Sequence, residues 1–292
     1  SAVAPRHSRP PGRRPRPLRQ PRRPDDRATK RVPLRNLARI VHVDIDPSSI
    51  SKNVKVDVPI VGSVPHVLRA MINVIRDEKL KPDSDALARW WRQIDEWRAV
   101  KSLGYRNSDE VIKPQFVIEK LYQITKGQAI ITSDVGQHQM WAAQYYPFDR
   151  PRQWINSGGL GTMGFGLPAA MGAKAANPDK LVIDIDGDGS FQMNIQELAT
   201  CYCEKLPVKV LLLNNQHLGM VMQWEDRFHA SNRAHTYLGP IDNPEAIGKG
   251  DGIGPKQRYP DFVAIAKGYG CGAATVSKKG DLEGALREMI NY

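Results

Sequence analysis

The sequence has few cysteines. Only three occur among 292 residues, so the chain has no cysteine framework of the kind that disulfide-stapled secreted domains use. Cys201 and Cys203 are two positions apart in a predicted helix, and such residues face different directions. We therefore expect buried or half-buried thiols in a reducing compartment.

Long apolar runs are also missing. No stretch reaches the roughly 18 residues that a membrane-spanning helix needs, so no membrane association is expected. The basic start of the chain is not followed by the apolar region of a signal peptide. At 292 residues and 41% hydrophobic composition, the chain is long enough for two domains or one large one.

Acidic residues are scarce relative to basic ones at the start of the chain. Residues 1–35 hold twelve Lys or Arg and two Asp, a charge of +10, whereas the net charge of the whole chain is +11. The basic signal therefore belongs to a tail, which makes nucleic-acid binding an unfavoured alternative. Residues 1–24 are rich in Pro and Arg, and we predict a disordered tail that is either an interaction segment or a non-native end.

Two α/β regions follow this tail. Residues 38–46 alternate like a strand, residues 58–62 form a second apolar run, and residues 64–75 have a helical period. We interpret 25–80 as the end of an α/β domain and the Trp-rich stretch 81–112 as a linker helix.

From residue 113 to 292, predicted helices alternate with strands. This order predicts a parallel sheet that is covered on both faces. The predicted strands are 129–132, 181–186, 208–213 and 273–276; the predicted helices are 117–124, 137–145, 167–176, 194–204, 262–269 and 282–289. Ile195, Leu198, Ala199 and Tyr202 would form the core face of the fourth helix, and residues 238–259 would form a long mobile loop.

Two of these strands end on oxygen-bearing side chains. The strand from Leu181 runs into Gly-Asp188-Gly-Ser, and the strand from Val208 ends at Asn214-Asn215. The carboxyl ends of parallel strands meet at one edge of a sheet, where ligands bind. Carboxylate and amide oxygen atoms are typical ligands of Mg²⁺, and glycine backbone without side chains lets a diphosphate approach closely. The two together indicate a site for Mg²⁺ bound to a diphosphate.

A glycine-rich loop between residues 158 and 166 allows two interpretations. Gly159, Gly161 and Gly164 match the spacing of a dinucleotide-binding loop, and Asp184 lies 20 residues farther on. That motif must follow a strand, and only residues 153–156 precede this loop. We favour close approach of the backbone to a bulky planar cofactor, with Met163 as an apolar support.

Four stretches together resemble one enzyme family. They are Gly187-Asp-Gly-Ser190 with Asn214-Asn215, Ser133-Asp-Val-Gly-Gln-His-Gln-Met-Trp141, Trp154 to Gly166, and Leu218-Gly-Met-Val-Met-Gln-Trp-Glu-Asp-Arg-Phe228. The first is similar to the signature of thiamine-diphosphate enzymes, and the set resembles the catalytic subunit of the acetohydroxyacid (acetolactate) synthases. The likeness runs from about residue 24 to about residue 289, although the family usually has Phe where this chain has Pro24.

The resemblance implies three α/β domains in the whole enzyme. The first holds the aminopyrimidine ring, the middle one holds FAD, and the third, residues 113–292 here, holds the diphosphate. Residues 25–80 would be the end of the FAD domain, with Asp26, Arg27 and Asp44 as flavin contacts. The resemblance also implies that the third domain is truncated at its carboxyl end.

The resemblance assigns site residues as well. Mg²⁺ would be held by Asp188, the Asn215 side chain and the backbone carbonyl of His217, and Met220 with Trp224 would shape the pocket for the second substrate. The residues expected to contact thiamine diphosphate are Val135, Gly136, Gln137, His138, Gly161, Met163, Gly189, Ser190, Leu218, Gly219 and Met220.

The implied reaction decarboxylates pyruvate and transfers the two-carbon unit to pyruvate or 2-ketobutyrate, in branched-chain amino acid biosynthesis. The family forms homodimers, can carry a regulatory small subunit, and is cytoplasmic or, in plants, plastidic. Its activating Glu lies in the first domain of the partner subunit, so no catalytic residue is assigned here and we expect this chain alone to form no acetolactate. The alternatives are another thiamine-diphosphate carboligase or oxidase, acting on glyoxylate or pyruvate, and a non-catalytic cofactor-binding remnant.

Overall fold

The computed structural model describes residues 39–239 and 259–292. The predicted tail 1–24, the flavin candidates Asp26 and Arg27, and most of the predicted loop 238–259 lie outside these ranges. The chain forms two compact units, which divide between Ala99 and Val100. No helix within the described ranges is long and apolar enough to cross a membrane.

The first unit contains two parallel strands and two helices. They are β1 (Val41–Asp44), β2 (Val58–Val61), α1 (Val64–Asp77) and α2 (Ser84–Ala99). β1 pairs in parallel with β2, from Val41 opposite Val58 to Asp44 opposite Val61. The predicted helical period is present in α1, but its apolar side chains Leu68 and Met71 stay exposed.

The second unit has four strands and eight helices among the described residues. The strands are β3 (Ile130–Ser133), β4 (Trp154–Asn156), β5 (Val182–Gly187) and β6 (Lys209–Leu213). The helices are α3 (Pro114–Thr125), α4 (Gln137–Tyr145), α5 (Gly166–Ala176), α6 (Asp188–Phe191), α7 (Glu197–Cys203), α8 (Gly219–Phe228), α9 (Phe262–Gly268) and α10 (Leu282–Asn291).

The four strands form one parallel sheet in the order β4-β3-β5-β6. Ser133 at the end of β3 lies opposite Asn156 of β4 and Ile185 of β5, and Gly187 at the end of β5 lies opposite Leu213 of β6. The α/β class with a parallel sheet is therefore confirmed, and the carboxyl ends of all four strands meet at one edge.

Helices cover both faces of this sheet. One face packs with α3, α4 and α10 around Ile118, Leu121 and Ile183, which are fully buried. The other face packs with α5 and α7 around Leu167, Ala170 and Leu198. The sheet therefore forms a rigid platform beneath its carboxyl edge.

β5 places two acidic side chains on one face of the sheet. Because side chains alternate along a strand, Asp184 and Asp186 point away from the Ile183 and Ile185 face. Burial, followed by the charge of Asp134, raises the pKa of Asp184 to about 7. Burial, with the neighbouring charges of Asp184 and Asp134, raises the pKa of Asp186 to about 9.

Two sequence-based expectations about individual elements are wrong. Residues 273–276 form no strand and pair with none of the strands in the described part of the chain; Val276 packs on the core instead. Residues 153–156 do contain a strand, β4, which pairs with β3. The glycine-rich loop thus follows a strand after all.

The glycine-rich loop is not a dinucleotide-binding loop. The reason is the position of Asp184 and not, as the sequence suggested, the lack of a preceding strand. Asp184, the acid at the matching distance, does not lie at a strand end where a ribose could reach it. It lies inside β5, fully buried, and accepts a hydrogen bond of 2.9 Å from Thr132 Oγ1.

The helix predicted for 194–204 begins later, at Glu197, and its core face is different. Tyr202, predicted as a core residue, is 63% exposed, and Ala199 is exposed as well. Cys201 is buried beside Leu198 instead. Of the other two thiols, Cys271 is half-buried as expected, but Cys203 is exposed, which contradicts the expectation.

The packing of α3 leads to a stability prediction. Leu121 is fully buried between α3 and the sheet, so Leu121→Ala leaves a cavity that costs about 2–5 kcal/mol. We expect thermal unfolding to show a midpoint lower by about 5–15 °C. Leu160→Ala is the matched control, because Leu160 is 96% exposed and its truncation should leave the midpoint nearly unchanged. Equal shifts in both variants would contradict the assigned core.

The raised pKa of Asp184 leads to a prediction about pH. The folded chain holds this proton up to about pH 7, whereas the unfolded chain releases it near pH 4, so stability is lost as pH rises between these values. Asp184→Asn removes this loss and can still accept the Thr132 hydrogen bond. We expect the variant to gain on the order of 3 kcal/mol at pH 8 relative to its difference from the parent chain at pH 4.5.

Denaturant titration at both pH values checks this expectation. Asp179→Asn, at an exposed position, should show no such pH-dependent gain. An Asp184→Asn effect of equal size at both pH values would show that the buried charge is not its cause.

Candidate functional site

The carboxyl edge of the sheet carries a cleft of about 550 Å³, counting the open solvent at its mouth. Thirteen of the residues predicted from the sequence line it: Val135, Gly136, Gln137, His138, Met163, Asp188, Gly189, Ser190, Asn215, His217, Leu218, Gly219 and Met220. They come from the ends of β3, β5 and β6 and from the loop after β4.

The structure does not place every predicted residue in the cleft. Gly161 is not among its lining residues, although a Cβ at this position would lie only 3.8 Å from Val135. Trp224 is also absent from the lining; it is 56% exposed and stacks on Phe228 along α8. Asp44, the flavin candidate, ends β1 in the first unit, where its carboxylate accepts the Asp46 N–H at 2.9 Å.

Asp188 begins α6 directly after β5 and is almost completely buried. Its Oδ2 atom is buried without a hydrogen-bond partner. Burial raises the pKa of this carboxyl to about 7, although nearby backbone N–H groups, including those of Asn215 and Gln216, act in the opposite direction. A buried carboxylate oxygen without a partner is a favourable place for a cation.

The turn after β6 faces Asp188. Because Gly187 of β5 lies opposite Leu213 of β6, the next residues of the two strands lie side by side. Asn215 Oδ1 accepts the His217 N–H at 3.1 Å, and the His217 Nδ1 atom lies 2.9 Å from the Asn215 carbonyl oxygen. Gln216 between them has a left-handed backbone with φ of 57°, so the turn has a defined conformation.

A paired segment holds this turn in place. The Leu218 N–H donates to the Thr236 carbonyl and the Leu238 N–H donates to the Gln216 carbonyl, both at 2.8 Å. Buried Glu225 of α8 anchors the same segment by accepting the Ala234 N–H at 2.8 Å and the Thr236 hydroxyl at 3.0 Å. The sequence analysis missed Glu225, and an acid one residue after Trp224 on a helix gives no sign of burial.

His138 lines the cleft and is almost completely buried. Burial lowers its pKa to about 4, so the imidazole is neutral at pH 7. Its Nε2 atom lies 3.4 Å from the Ser190 hydroxyl, which also donates to Asp186. The ring packs so close to Gly187 that a Cβ at that position would lie 2.6 Å from Nδ1, and only glycine fits there.

A second group of potential metal ligands surrounds this histidine. One ligand atom each from Asp134, His138 and Asp186 lies within 4.8 Å of the others, and all three residues are buried. Asp134 already accepts three backbone N–H groups. We therefore treat this group as part of the support of the cleft and not as its metal site.

Four lining residues were not assigned from the sequence: Trp141, Gly187, Leu213 and Val221. Trp141 lies four residues after Gln137 in α4, so the two share one face of that helix. This spacing could have revealed Trp141, whereas Leu213 and Gly187 enter the cleft only because their strands end beside it.

Comparison with known proteins agrees with this arrangement. Residues 134–292 match the family model of the C-terminal TPP binding domain of thiamine pyrophosphate enzymes, and residues 22–71 match the model of the central domain of the same enzymes. The first match covers more than half of the chain and contains every residue that lines the cleft.

Several relatives are similar along most of this chain. Acetolactate synthase 1, chloroplastic, from Oryza sativa is 51% identical over 267 residues, which cover 91% of this chain and 40% of the relative. The isozyme 3 large subunit of acetolactate synthase from Escherichia coli is 47% identical, covering 91% of this chain and 43% of the relative. The chloroplastic enzyme of Arabidopsis thaliana is 49% identical, covering 91% and 38%.

The chain therefore spans about two fifths of the length of the relatives that it matches. Their names confirm the resemblance to the acetolactate synthases, and the family models confirm a thiamine-diphosphate-binding domain. Because its C-terminal family model covers more than half of the sequence, the chain belongs to the thiamine pyrophosphate enzymes.

Proposed function

We propose that this chain is the thiamine-diphosphate-binding part of an acetolactate synthase catalytic subunit. The reaction would decarboxylate pyruvate and transfer the two-carbon unit to a second pyruvate or to 2-ketobutyrate. Relatives with this name at 47–51% identity support the proposal. The cleft at the carboxyl edge of the sheet would hold the cofactor.

The buried, unpartnered Oδ2 atom of Asp188 is the observation that carries this proposal. A carboxylate in this position is costly unless a cation or a proton compensates it. Mg²⁺ held by Asp188, the Asn215 side chain and the His217 carbonyl would remove that cost and bind the diphosphate. The donor set consists of hard oxygen atoms, which fits Mg²⁺ and not a softer metal.

The remaining lining residues fit the other parts of thiamine diphosphate. Gly189 and Ser190 lie in the first turn of α6, where backbone N–H groups lack partners within the helix and can bind phosphate oxygens. Val135, Gly136, Gln137 and neutral His138 would lie on the far side of the diphosphate. Apolar side chains, Met163, Leu218 and Met220 among them, would contact the rings.

Bound thiamine diphosphate would supply the electron sink for decarboxylation, and the protein would supply orientation and exclusion of water. Met220 lines the cleft, and Trp224 lies one helical turn farther along α8. We propose that these two side chains shape the site of the second 2-keto acid.

The remaining parts of the proposal rest on the family resemblance. FAD would bind the middle domain through Asp26, Arg27 and Asp44. A homodimer would complete the active site, and a regulatory small subunit is a further proposed partner, since the Escherichia coli relative is named a large subunit. A plastid location would follow for a plant protein, as the chloroplastic relatives suggest, and a cytoplasmic one otherwise.

The metal site leads to a binding prediction. We expect the chain to bind thiamine diphosphate only when Mg²⁺ is present, and we expect Asp188→Asn to weaken this binding at least tenfold. The amide keeps the size of the side chain but removes the charge that faces the cation. Isothermal titration calorimetry with and without Mg²⁺ measures both effects.

Asp179→Asn is the control for this experiment, because it makes the same chemical change at an exposed position. It should leave the dissociation constant unchanged. Binding of equal strength with and without Mg²⁺ would refute the proposed metal site.

The proposed reaction is tested in a hybrid enzyme. The activating Glu is expected in a domain that precedes the part matched by this chain, so this chain would replace the matching 43% of the Escherichia coli large subunit. We expect the hybrid to form acetolactate from pyruvate, and 2-ketobutyrate to compete as the second substrate better than glyoxylate.

A hybrid with Asp188→Asn serves as the inactive reference, since it retains the same fusion points. Acetolactate formation that does not differ between the two hybrids would exclude the assigned role of the cleft. Faster reaction with glyoxylate than with 2-ketobutyrate would favour another carboligase of the same family.

A further inference from the structure

Asp134 is a fully buried acid that does not itself line the cleft. It follows β3, and its carboxylate reaches across to the glycine-rich loop after β4. Its Oδ1 atom accepts the Gly164 N–H at 2.9 Å, and its Oδ2 atom accepts the Gly166 N–H at 2.8 Å. Oδ1 also accepts the N–H of Val135 at 2.7 Å. Hydrogen bonds to a charged acceptor are stronger than neutral ones, so this carboxylate fixes two alternate peptides of the loop.

A second side chain, that of Asn194, also binds this loop. Asn194, in the turn after α6, donates its Nδ2 hydrogen to the Gly164 carbonyl at 2.6 Å. Gly164 has a left-handed backbone with φ of 85°, and a Cβ there would lie only 2.8 Å from Asn194 Nδ2. Hydrogen bonds therefore fix both the N–H and the carbonyl of Gly164, in a backbone conformation that glycine adopts readily.

Gly164 directly follows Met163 in the chain, and Met163 lines the cleft. The proposed metal ligands Asp188 and Asn215 line the same cleft. The proposed function places the diphosphate at Asp188 and the rings against Met163, so the two ends of the ligand would contact different residues.

We propose that Asp134 and Asn194 are positioning residues, which clamp Gly164 at its N–H and its carbonyl and thereby hold Met163 against the ring portion of thiamine diphosphate. This inference rests on the proposed function, because it assumes that thiamine diphosphate occupies the cleft. Asp134 also accepts the N–H of Val135, which is proposed to lie beside the diphosphate. The side-chain bond from Asn194 to Gly164 joins two residues that lie outside the cleft lining, so Asn194 gives the more selective test.

The clamp makes a prediction that a purely structural role does not make. Loosening Met163 should weaken binding of thiamine diphosphate but not binding of inorganic diphosphate, which occupies only the metal end. General destabilisation of the domain would instead weaken both ligands alike. The comparison of the two ligands therefore separates positioning from stability.

The main variant is Asn194→Asp, which keeps the size of the side chain but removes the donor to the Gly164 carbonyl. Its Oδ1 atom can still accept the hydrogen bond of 3.0 Å from Gln196. Titration calorimetry in the presence of Mg²⁺ should show thiamine diphosphate bound about fivefold more weakly, the typical effect of one hydrogen bond, and inorganic diphosphate bound within twofold of the parent chain. Asp134→Asn should also weaken binding of thiamine diphosphate, because its amide nitrogen cannot accept the Gly166 N–H.

Asn177→Asp is a matched control at the other end of α5, roughly 16 Å away along the helix axis. Asn177 donates its Nδ2 hydrogen to the Ala173 carbonyl at 3.0 Å, so the same kind of bond is lost away from the cleft. This variant should bind both ligands like the parent chain. Asn194→Asp carries the test by itself if Asp134→Asn does not fold.

Two results would overturn the clamp. One is an equal loss of affinity for thiamine diphosphate and inorganic diphosphate in Asn194→Asp, and the other is no loss for either. A parent chain that binds no thiamine diphosphate with Mg²⁺ would instead overturn the proposed function, and the clamp with it, so the two failures are distinguishable.

Discussion

The site depends on one constraint, the parallel pairing of β4, β3, β5 and β6. Parallel strands in register end at one edge, and the chain leaves each strand there in a turn or at the start of a helix. This geometry brings Asp188 after β5 beside the turn at Asn215 after β6, although the two are 27 positions apart in the sequence. Every lining residue of the cleft comes from one of these four exits or from the helix that follows it.

The electrostatics of the edge follow from the same packing. A sheet covered on both faces excludes water from its strands, so the acids of β5 are buried and their pKa values rise. The same exclusion keeps His138 neutral and leaves an oxygen of Asp188 without a partner. Such a site is costly to fold, and a bound cation would compensate that cost, so the proposed Mg²⁺ would couple ligand binding to the stability of the domain. The Asp134 carboxylate is used differently, because backbone N–H groups of the glycine-rich loop satisfy it.

Much of this arrangement was predictable from residue order. Apolar strands that end on Gly-Asp188-Gly-Ser and on Asn214-Asn215 indicated the cleft, and thirteen predicted residues line it. The failures have physical causes. β4 is only three residues long, too short for a periodic signal, and it exists because β3 offers a pairing edge. The start of α7 was predicted about one turn too early because nothing in the sequence separates the turn at Asn194 from the helix that begins at Glu197.

The sequence by itself determined the fold class, the two strand-end motifs and the glycine-rich loop, because these depend on local composition and on spacing along the chain. Only the tertiary structure decided which buried groups support them. The bonds from Asp134 to Gly164 and Gly166 and from Asn194 to Gly164 join residues about 30 positions apart, and their partners become neighbours only when β3, β4 and β5 are assembled. Packing also decided which neighbouring side chains are buried. Trp224 is exposed, whereas Glu225, which follows it in the chain, is buried. Contacts between distant segments carry no local pattern, so they cannot be read from one sequence.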